Sequence, residues 1–438
     1  MKKISLISLA LLTILCLVFA TGCEKADGGS SAPSQFQSSD LSKYVIVYPD
    51  GNSDYYDLAN KLADHILQTY GVFPIPTPDA LSAPGQYEIV LGDTNRSDRV
   101  GRIMECAVAV DSGKMLIHAG GPYSTEQAVD SLCQQLFTGR EFTLEDGEYF
   151  QRSFLETPNP VSDGASARIM SANILADAFA DSSYRSASYR AEIFAGMLVS
   201  HTPDVLGLQE TDENWNEILD SYLAKIEQTC GIAYARHLAT YEDKVNYTSL
   251  LYRRDKFQVS DSGVYVFNWW TNSAFRHNYH MRNVSWAKFS PLDGGADFLV
   301  ANTHWSYRTE HSDGNITLFG ATAPIAVNEL RTQCKDETHA YLSNLRQTYA
   351  EIPIILVGDF NTSLPFFTDN GWTPAGFRIV SEEAKSNHTA QSVVPESGHF
   401  DHIFAAGNYR ICRYAYFGST APHNLLTDHP FVFADFNF

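Results

Sequence analysis

Apolar positions along the chain follow two periods, and the switches between them mark its elements. Short apolar or alternating runs at 44–48, 87–91, 106–110 and 114–118 predict strands, while 3.6-residue spacing predicts helices at 55–70 and about 125–137. Asp111-Ser112-Gly113 between two of these runs predicts a hairpin turn. Further on, strands are expected at 168–172, 204–208, 297–301, 353–357, 399–404 and 431–436, with helices at about 189–200 and 326–349 and hairpin-like stretches between. A polar break at Ser162-Asp163-Gly164 separates the two stretches. The expectation is a small α+β accessory domain over 43–160, then a larger α/β (α+β) domain over 165–438 built as a layered sandwich around mixed sheets. No internal repeat of fixed period interrupts this reading.

The first residues stand apart. Lys2 and Lys3, an apolar run over 4–20 and small residues before Cys23 have the layout of a secretory signal, expected over 1–22. Ala20-Thr21-Gly22-Cys23 resembles the lipobox of bacterial lipoproteins, which implies acylation of Cys23; an ordinary signal peptide cleaved nearby is the alternative. Residues 23–42, rich in Ser, Gly, Asp, Gln and Pro, are expected to be a flexible tether. The chain is thus expected to be exported and held on the cell membrane by a lipid anchor, facing away from the cytoplasm.

Composition narrows the functions. The 44% hydrophobic content supplies a core and excludes a disordered tail. A formal charge of −20, from 31 Lys and Arg against 51 Asp and Glu, excludes a stable nucleic-acid partner held on a broad basic surface. It leaves room for an enzyme that grips one phosphate locally. Beyond Cys16 and Cys23, the remaining cysteines, at 106, 133, 230, 334 and 412, have no zinc-type spacing. Cys106 and Cys133 are either bridged or buried and unpaired. No pattern specifies an oligomer.

In the first domain, Ile89-Val90-Leu91-Gly92-Asp93-Thr94 and the Gly120-Gly121 pair ahead of a helix resemble the accessory domain of bacterial hexosaminidases and α-glucuronidases. That resemblance implies a spacer or docking role without chemistry. Gly120-Gly121 is too short for a nucleotide loop.

The larger domain sets polar residues of catalytic type at the margins of its apolar strands. Val205-Leu206-Gly207-Leu208-Gln209 leads to Glu210, Asn302-Thr303 to His304, and Val357-Gly358 to Asp359 and Asn361. Asn173 closes the strand that begins near Arg168, and Asp401 and Asp428-His429 border the last two strands. Open sheets tend to build their sites at such margins. Taken singly, each of these residues reads as a turn, a solvated carboxylate or a loop histidine; their order along the chain carries the weight.

Met170-Ser171-Ala172-Asn173, Pro203 to Glu210, Asn302-Thr303-His304, Gly358-Asp359-Phe360-Asn361, Phe400-Asp401-His402-Ile403 and Thr427-Asp428-His429-Pro430 resemble, in order, the endonuclease/exonuclease/phosphatase superfamily. Its members include deoxyribonuclease I, apurinic endonucleases, sphingomyelinases and deadenylases. The resemblance implies a four-layer α/β/β/α sandwich of the deoxyribonuclease I-like type and metal-dependent hydrolysis of phosphoesters. It implies that Glu210 and Asn173 hold Mg²⁺, with Mn²⁺ as substitute, and that Asp428 adds a metal or water-mediated contact. Asn361 donates to a phosphate oxygen, His304 lies on the scissile phosphate and either stabilises charge or helps the leaving group, and Asp401 orients His429. Whether Asp359 or His429 is the base stays open. A hard cation suits such chemistry, because the phosphate charge otherwise repels the attacking water.

The substrate is less constrained. Residues 173–177 and 358–365 resemble the deadenylase branch, and no Trp precedes Gly358 as in the inositol phosphatases. Nucleic acid or nucleotides are therefore the expected phosphodiester substrates, with a phospholipid phosphodiesterase, a phosphomonoesterase and a non-catalytic surface binding module as alternatives. Trp269 and Trp270 stack on bases, enter lipid headgroups or lie in the core. Arg282 either supports the core or contacts substrate.

Overall fold

The computed structural model describes residues 35–180, 183–238, 240–241, 244–245, 247–268, 281–306, 309–310, 315–318, 321–369, 376–386, 399–418 and 421–438. Cys23, Trp269 and Trp270 lie outside the described residues.

The first unit is a six-stranded sheet of β1 (Val45–Tyr48), β2 (Ile75–Pro78), β3 (Glu88–Leu91), β4 (Glu105–Asp111), β5 (Lys114–Ala119) and β6 (Gly147–Ser153), in the order β2-β1-β3-β5-β4-β6. Helices α1 (Ser53–Tyr70) and α2 (Pro122–Gln135) contribute Leu62, Ile66, Ala128 and Val129 to its core. Asn52 caps α1 by accepting from the Asp54 and Tyr55 amides at 3.0 and 3.4 Å. The second helix begins earlier than its apolar spacing predicts, because Pro122 presets the first turn. The tether expected over 23–42 is corrected at its far end. Gln35–Gln37 pairs as a strand with Thr143–Glu145, and Phe36 is fully buried between Tyr44 and Phe142. One apolar ring in a polar stretch is enough to draw it into the core. Cys106 and Cys133 are both free.

Two further six-stranded sheets form the centre of the second unit. One holds β7 (Ala167–Asn173), β8 (Val205–Gln209), β9 (Tyr234–His237), β10 (Leu250–Arg253), β17 (Arg410–Phe417) and β18 (Phe431–Asn437), in the order β9-β10-β8-β7-β18-β17. The other holds β11 (Phe257–Val266), β12 (Asn283–Pro291), β13 (Phe298–His304), β14 (Ile354–Asp359), β15 (Arg378–Ile379) and β16 (Asp401–Ala406), in the order β11-β12-β13-β14-β16-β15. Period-2 alternation sorts their side chains. Ile169 meets Val300 and Ile355 between the sheets, while Met170 and Ala172 face helices α3 (Ala187–His201) and α4 (Glu213–Cys230). On the other side Leu299, Ala301 and Leu356 share a core with Leu342 and Leu345 of helix α5 (Val327–Thr348). The result is the expected α/β/β/α sandwich. Gly207 permits the close approach of the sheets, since a Cβ there would stand 2.4 Å from Val357 Cγ2. The pattern reading misses α4, whose buried Trp215, Leu219, Tyr222 and Ile226 are diluted by ten polar neighbours on its solvent face.

The first unit packs directly on α3 and α4. Glu192, buried in α3, accepts the Met104 and Ser124 amides at 3.2 and 3.0 Å, so its carboxyl meets the N-terminal end of α2. Lys225 of α4 bonds Asp93 at 2.7 Å, and Tyr189 bonds Glu126 at 2.7 Å.

Candidate active site

Strand register builds the site. In the first sandwich sheet, parallel pairing sets Asn173 beside Gln209, and Glu210 follows at once. In the second, His304 pairs with Asp359 across β13 and β14, and Asp359 pairs with Asp401 across β14 and β16. Three functional side chains thus stand in one row, one strand spacing apart. The sheets are tied beneath them by Asn302, which accepts from Gln209 Nε2 at 2.7 Å and donates to the Leu208 carbonyl at 2.8 Å.

The polar groups then converge. Asn173 Nδ2 donates to Glu210 Oε1 at 3.1 Å and to Asp359 Oδ2 at 3.0 Å, bridging the sheets. The Ala176 amide holds Glu210 Oε2 at 3.0 Å. His304 Nε2 lies 3.3 Å from Asp359 Oδ2 and 4.0 Å from Glu210 Oε1. The Asn361 amide donates to Asp359 Oδ1 at 2.8 Å, and its Nδ2 donates to the Trp305 carbonyl at 3.0 Å. His429 Nδ1 donates to Asp401 Oδ2 at 2.7 Å, leaving Nε2 facing Asp359 at 3.9 Å. Glu210 and Asn361 adopt left-handed backbone, with φ of 64° and 49°. Non-glycine residues there cost about 1–3 kcal/mol and collect at functional sites.

Electrostatics divides the histidines. Burial and then the Arg282 charge push the His304 imidazole down, against the pull of Asp359. Burial also works against protonation of His429, but Asp401 and Asp359 outweigh it and hold the ring well above the ordinary histidine value. Burial raises the Asp359 carboxyl less than His429 and His304 lower it, so it stays ionised.

Of the expected site residues, Asn173, Glu210, His304, Asp359, Asn361, Asp401 and His429 come together. Asp428 stands at the rim with its side chain 56% exposed, 3.9 Å from His429 Nε2. Arg282 is buried and acts on His304 through its charge. Two groups have ligand atoms close enough to share a cation, Glu210 with His304 and Asp359, and Asp359 with Asp401 and His429. The first offers hard carboxylate oxygens, with Glu210 reaching the surface. Without a cation, the carboxylates gathered here would repel a phosphate. The residues present fit a divalent metal.

Residues the pattern did not single out support this cluster. Thr427 Oγ1 donates to the Asn173 carbonyl at 2.9 Å. Arg190, fully buried in α3, donates through Nη1 to the carbonyls of Ile174, Leu175 and Leu426 at 3.0, 2.7 and 3.1 Å. It staples the loop after Asn173 to the loop before His429. No local signal marks it, because a lone Arg on a helix reads as a solvated residue.

A family model described as the endonuclease/exonuclease/phosphatase family matches residues 170–429. The chain belongs to this family. Its members hydrolyse phosphoesters and are generally metal-dependent. The chain is similar to an endonuclease/exonuclease/phosphatase from Bacteroides vulgatus, at 21% identity and TM-score 0.45 over 62% of this chain and 98% of that one. It is similar to a Bacteroides thetaiotaomicron mannosyl-6-phosphatase, at 19% identity and TM-score 0.44 over 62% of this chain and all of that one. A D. rerio TDP2 in complex with single-strand DNA product shares 18% identity, with TM-score 0.44 over 62% and 99%. No curated protein matches. Among the described residues, no helix is long and apolar enough to cross a membrane.

Proposed function

We propose that this family member is an exported, lipid-anchored, Mg²⁺-dependent phosphodiesterase acting on nucleic acid or nucleotides. The observation that carries the reading is the convergence of Asn173, Glu210, His304, Asp359, Asn361, Asp401 and His429 from both sheets onto one margin. Export and anchoring rest on residues 1–23, and the nucleotide preference on residues 173–177 and 358–365.

Glu210 and Asn173 would hold the Mg²⁺, for which Mn²⁺ would substitute, with Asp428 adding a metal or water-mediated contact. When bound, the ion supplies charge neutralisation at the phosphate. Asp359 is fixed on both oxygens, by the Asn361 amide and by Asn173 Nδ2, so it orients the attacking water and takes its proton. Asp401 occupies His429 Nδ1, which directs Nε2–H to a phosphate oxygen. Asn361 Nδ2, bonded to the Trp305 carbonyl at 3.0 Å and to Asp359 Oδ2 at 3.4 Å, exchanges the longer bond for one donated to a phosphate oxygen. His304, kept neutral by burial and Arg282, donates toward the leaving side.

The test is hydrolysis by the chain from residue 35 onward of single-stranded DNA, RNA, dinucleotides, sphingomyelin and inositol phosphates, with Mg²⁺ or EDTA. EDTA-sensitive cleavage of the nucleotide substrates is expected. Cleavage of sphingomyelin or inositol phosphates alone replaces the substrate class, and no cleavage by a folded chain overturns the enzyme reading. Cys23→Ser should move the full-length protein from the membrane fraction to the soluble one; retention overturns the anchor.

A further inference from the structure

The first unit carries a trough with no part in the site above. Its sheet is covered by α1 and α2 on one face. On the other face, residues 97–102 pass beside β4, β5 and β6 and border two adjoining open cavities of about 470 and 260 Å³. Both are lined by Arg99, His118 and Glu148. The space exists because Ala107, Ala109 and Gly147 stand where an exposed sheet face ordinarily carries long side chains.

Where the cavities meet, His118 is 7% exposed and its Nε2 has no hydrogen-bond partner among the described residues. Leaving such a group unpaired costs about 1–3 kcal/mol. Above it, Arg99 and Glu148 pair at 3.0 Å with side chains 60% and 65% exposed. A bridge so exposed contributes little and parts readily.

The lining decides the ligand class. Asp98, Asp111, Glu105 and Glu148 outnumber Arg99 and Arg102, which disfavours an anion. Among the described residues, neither group spaced for a cation lies here. The lining is mixed, with Val100, Val110, Leu116 and the alanines adding apolar surface beside the charged groups. What remains is a neutral ligand that both donates and accepts along its length, as vicinal hydroxyls do against guanidinium–carboxylate pairs, with C–H groups for the apolar surface. We propose that this trough is a saccharide-binding site, in which a short glycan displaces the Arg99–Glu148 bridge and bonds His118.

The test is binding of the intact chain to an array of mono- to hexasaccharides of neutral hexoses and N-acetylhexosamines, with uronic acids, inorganic phosphate and Ca²⁺ as counter-probes. Glycans retained on the array are then titrated calorimetrically. Saccharide binding is expected, weakened at least about tenfold, or 1.4 kcal/mol, by His118→Ala and by the surface change Glu148→Ala. Ala107→Trp should fill the trough and abolish it. Thermal unfolding and phosphoester hydrolysis of the Glu148→Ala protein should stay at wild-type values, which separates this site from the catalytic one. No glycan bound at millimolar concentration, binding of uronic acids, phosphate or Ca²⁺ instead, or saccharide binding unchanged in His118→Ala and Glu148→Ala, would each overturn the proposal.

Discussion

The first unit and the catalytic sandwich treat a buried carboxylate in opposite ways. Glu88 in the first sheet is 1% exposed, and both its oxygens are paired: Oε1 with Arg96 at 3.0 Å and the Gly85 amide at 2.8 Å, Oε2 with Lys114 at 2.8 Å. Burial pushes its carboxyl up, but those donors outweigh burial and bring it below the ordinary value. Asp401 in the sandwich is fully buried with His429 on Oδ2 and, among the described residues, no partner on Oδ1, and burial pushes its carboxyl up to about 6. The sandwich can satisfy a buried acid elsewhere. Asp435 receives Arg168 on both oxygens, at 2.6 and 2.8 Å. Among these three carboxylates the incomplete pairing falls at the site. A finished ion pair serves the fold, and an unfinished one is left for a ligand.

The comparison breaks most visibly at the site. Glu210→Ala and His429→Ala should each lower turnover by at least about 10³-fold while shifting Tm by no more than about 2–4 °C. Near-wild-type turnover in either would show that the cluster is another structural ion pair. The converse change, Glu88→Ala, strands Arg96 and Lys114 and should cost about 3–5 kcal/mol in urea unfolding with turnover per folded molecule intact. An equal loss of activity would erase the distinction between the units.

A smaller effect comes from His402, whose imidazole burial pushes down to about 4 while Nε2–H donates to the Thr362 carbonyl at 3.0 Å. The unfolded chain protonates this ring near its ordinary value and the folded chain does not. Stability is thus full above about pH 6.5 and falls by at most about 3 kcal/mol as the pH drops toward 4. His402→Asn should flatten that window in a pH series of unfolding curves; an unchanged slope would assign the acid sensitivity to other groups. Smallest is the cation itself. Mg²⁺ at ten times its Kd should add about 1.4 kcal/mol to the EDTA-treated protein, and nothing to Glu210→Ala. Equal stabilisation of both proteins in a melting assay would move the metal away from Glu210.

Much of the site was legible because its residues close strands. Asn173, His304 and Asp359 end apolar runs, and Asp401 begins one, so strand margins found them without any knowledge of partners. Arg190 and Thr427 were not legible. Their bonds reach Leu426 and Asn173, more than two hundred residues away in sequence, and nothing near them marks the distance. The first unit shows the same limit. Its hairpin and helices follow from local spacing, whereas the capture of Phe36 and the burial of Glu192 against α2 depend on surfaces supplied by other elements.

The strands and helices with clear apolar spacing, the acidic composition and the identity of the polar residues at strand margins follow from the sequence alone, because each is read from the residues themselves and their neighbours along the chain. Tertiary structure alone decided that Asn173 bridges to Asp359, that two carboxylates hold the proton on His429, and that a trough opens beside His118. Those outcomes depend on strand register, on the close approach permitted at Gly207 and on how many donors each buried charge receives, and none of these is set by residues adjacent in sequence.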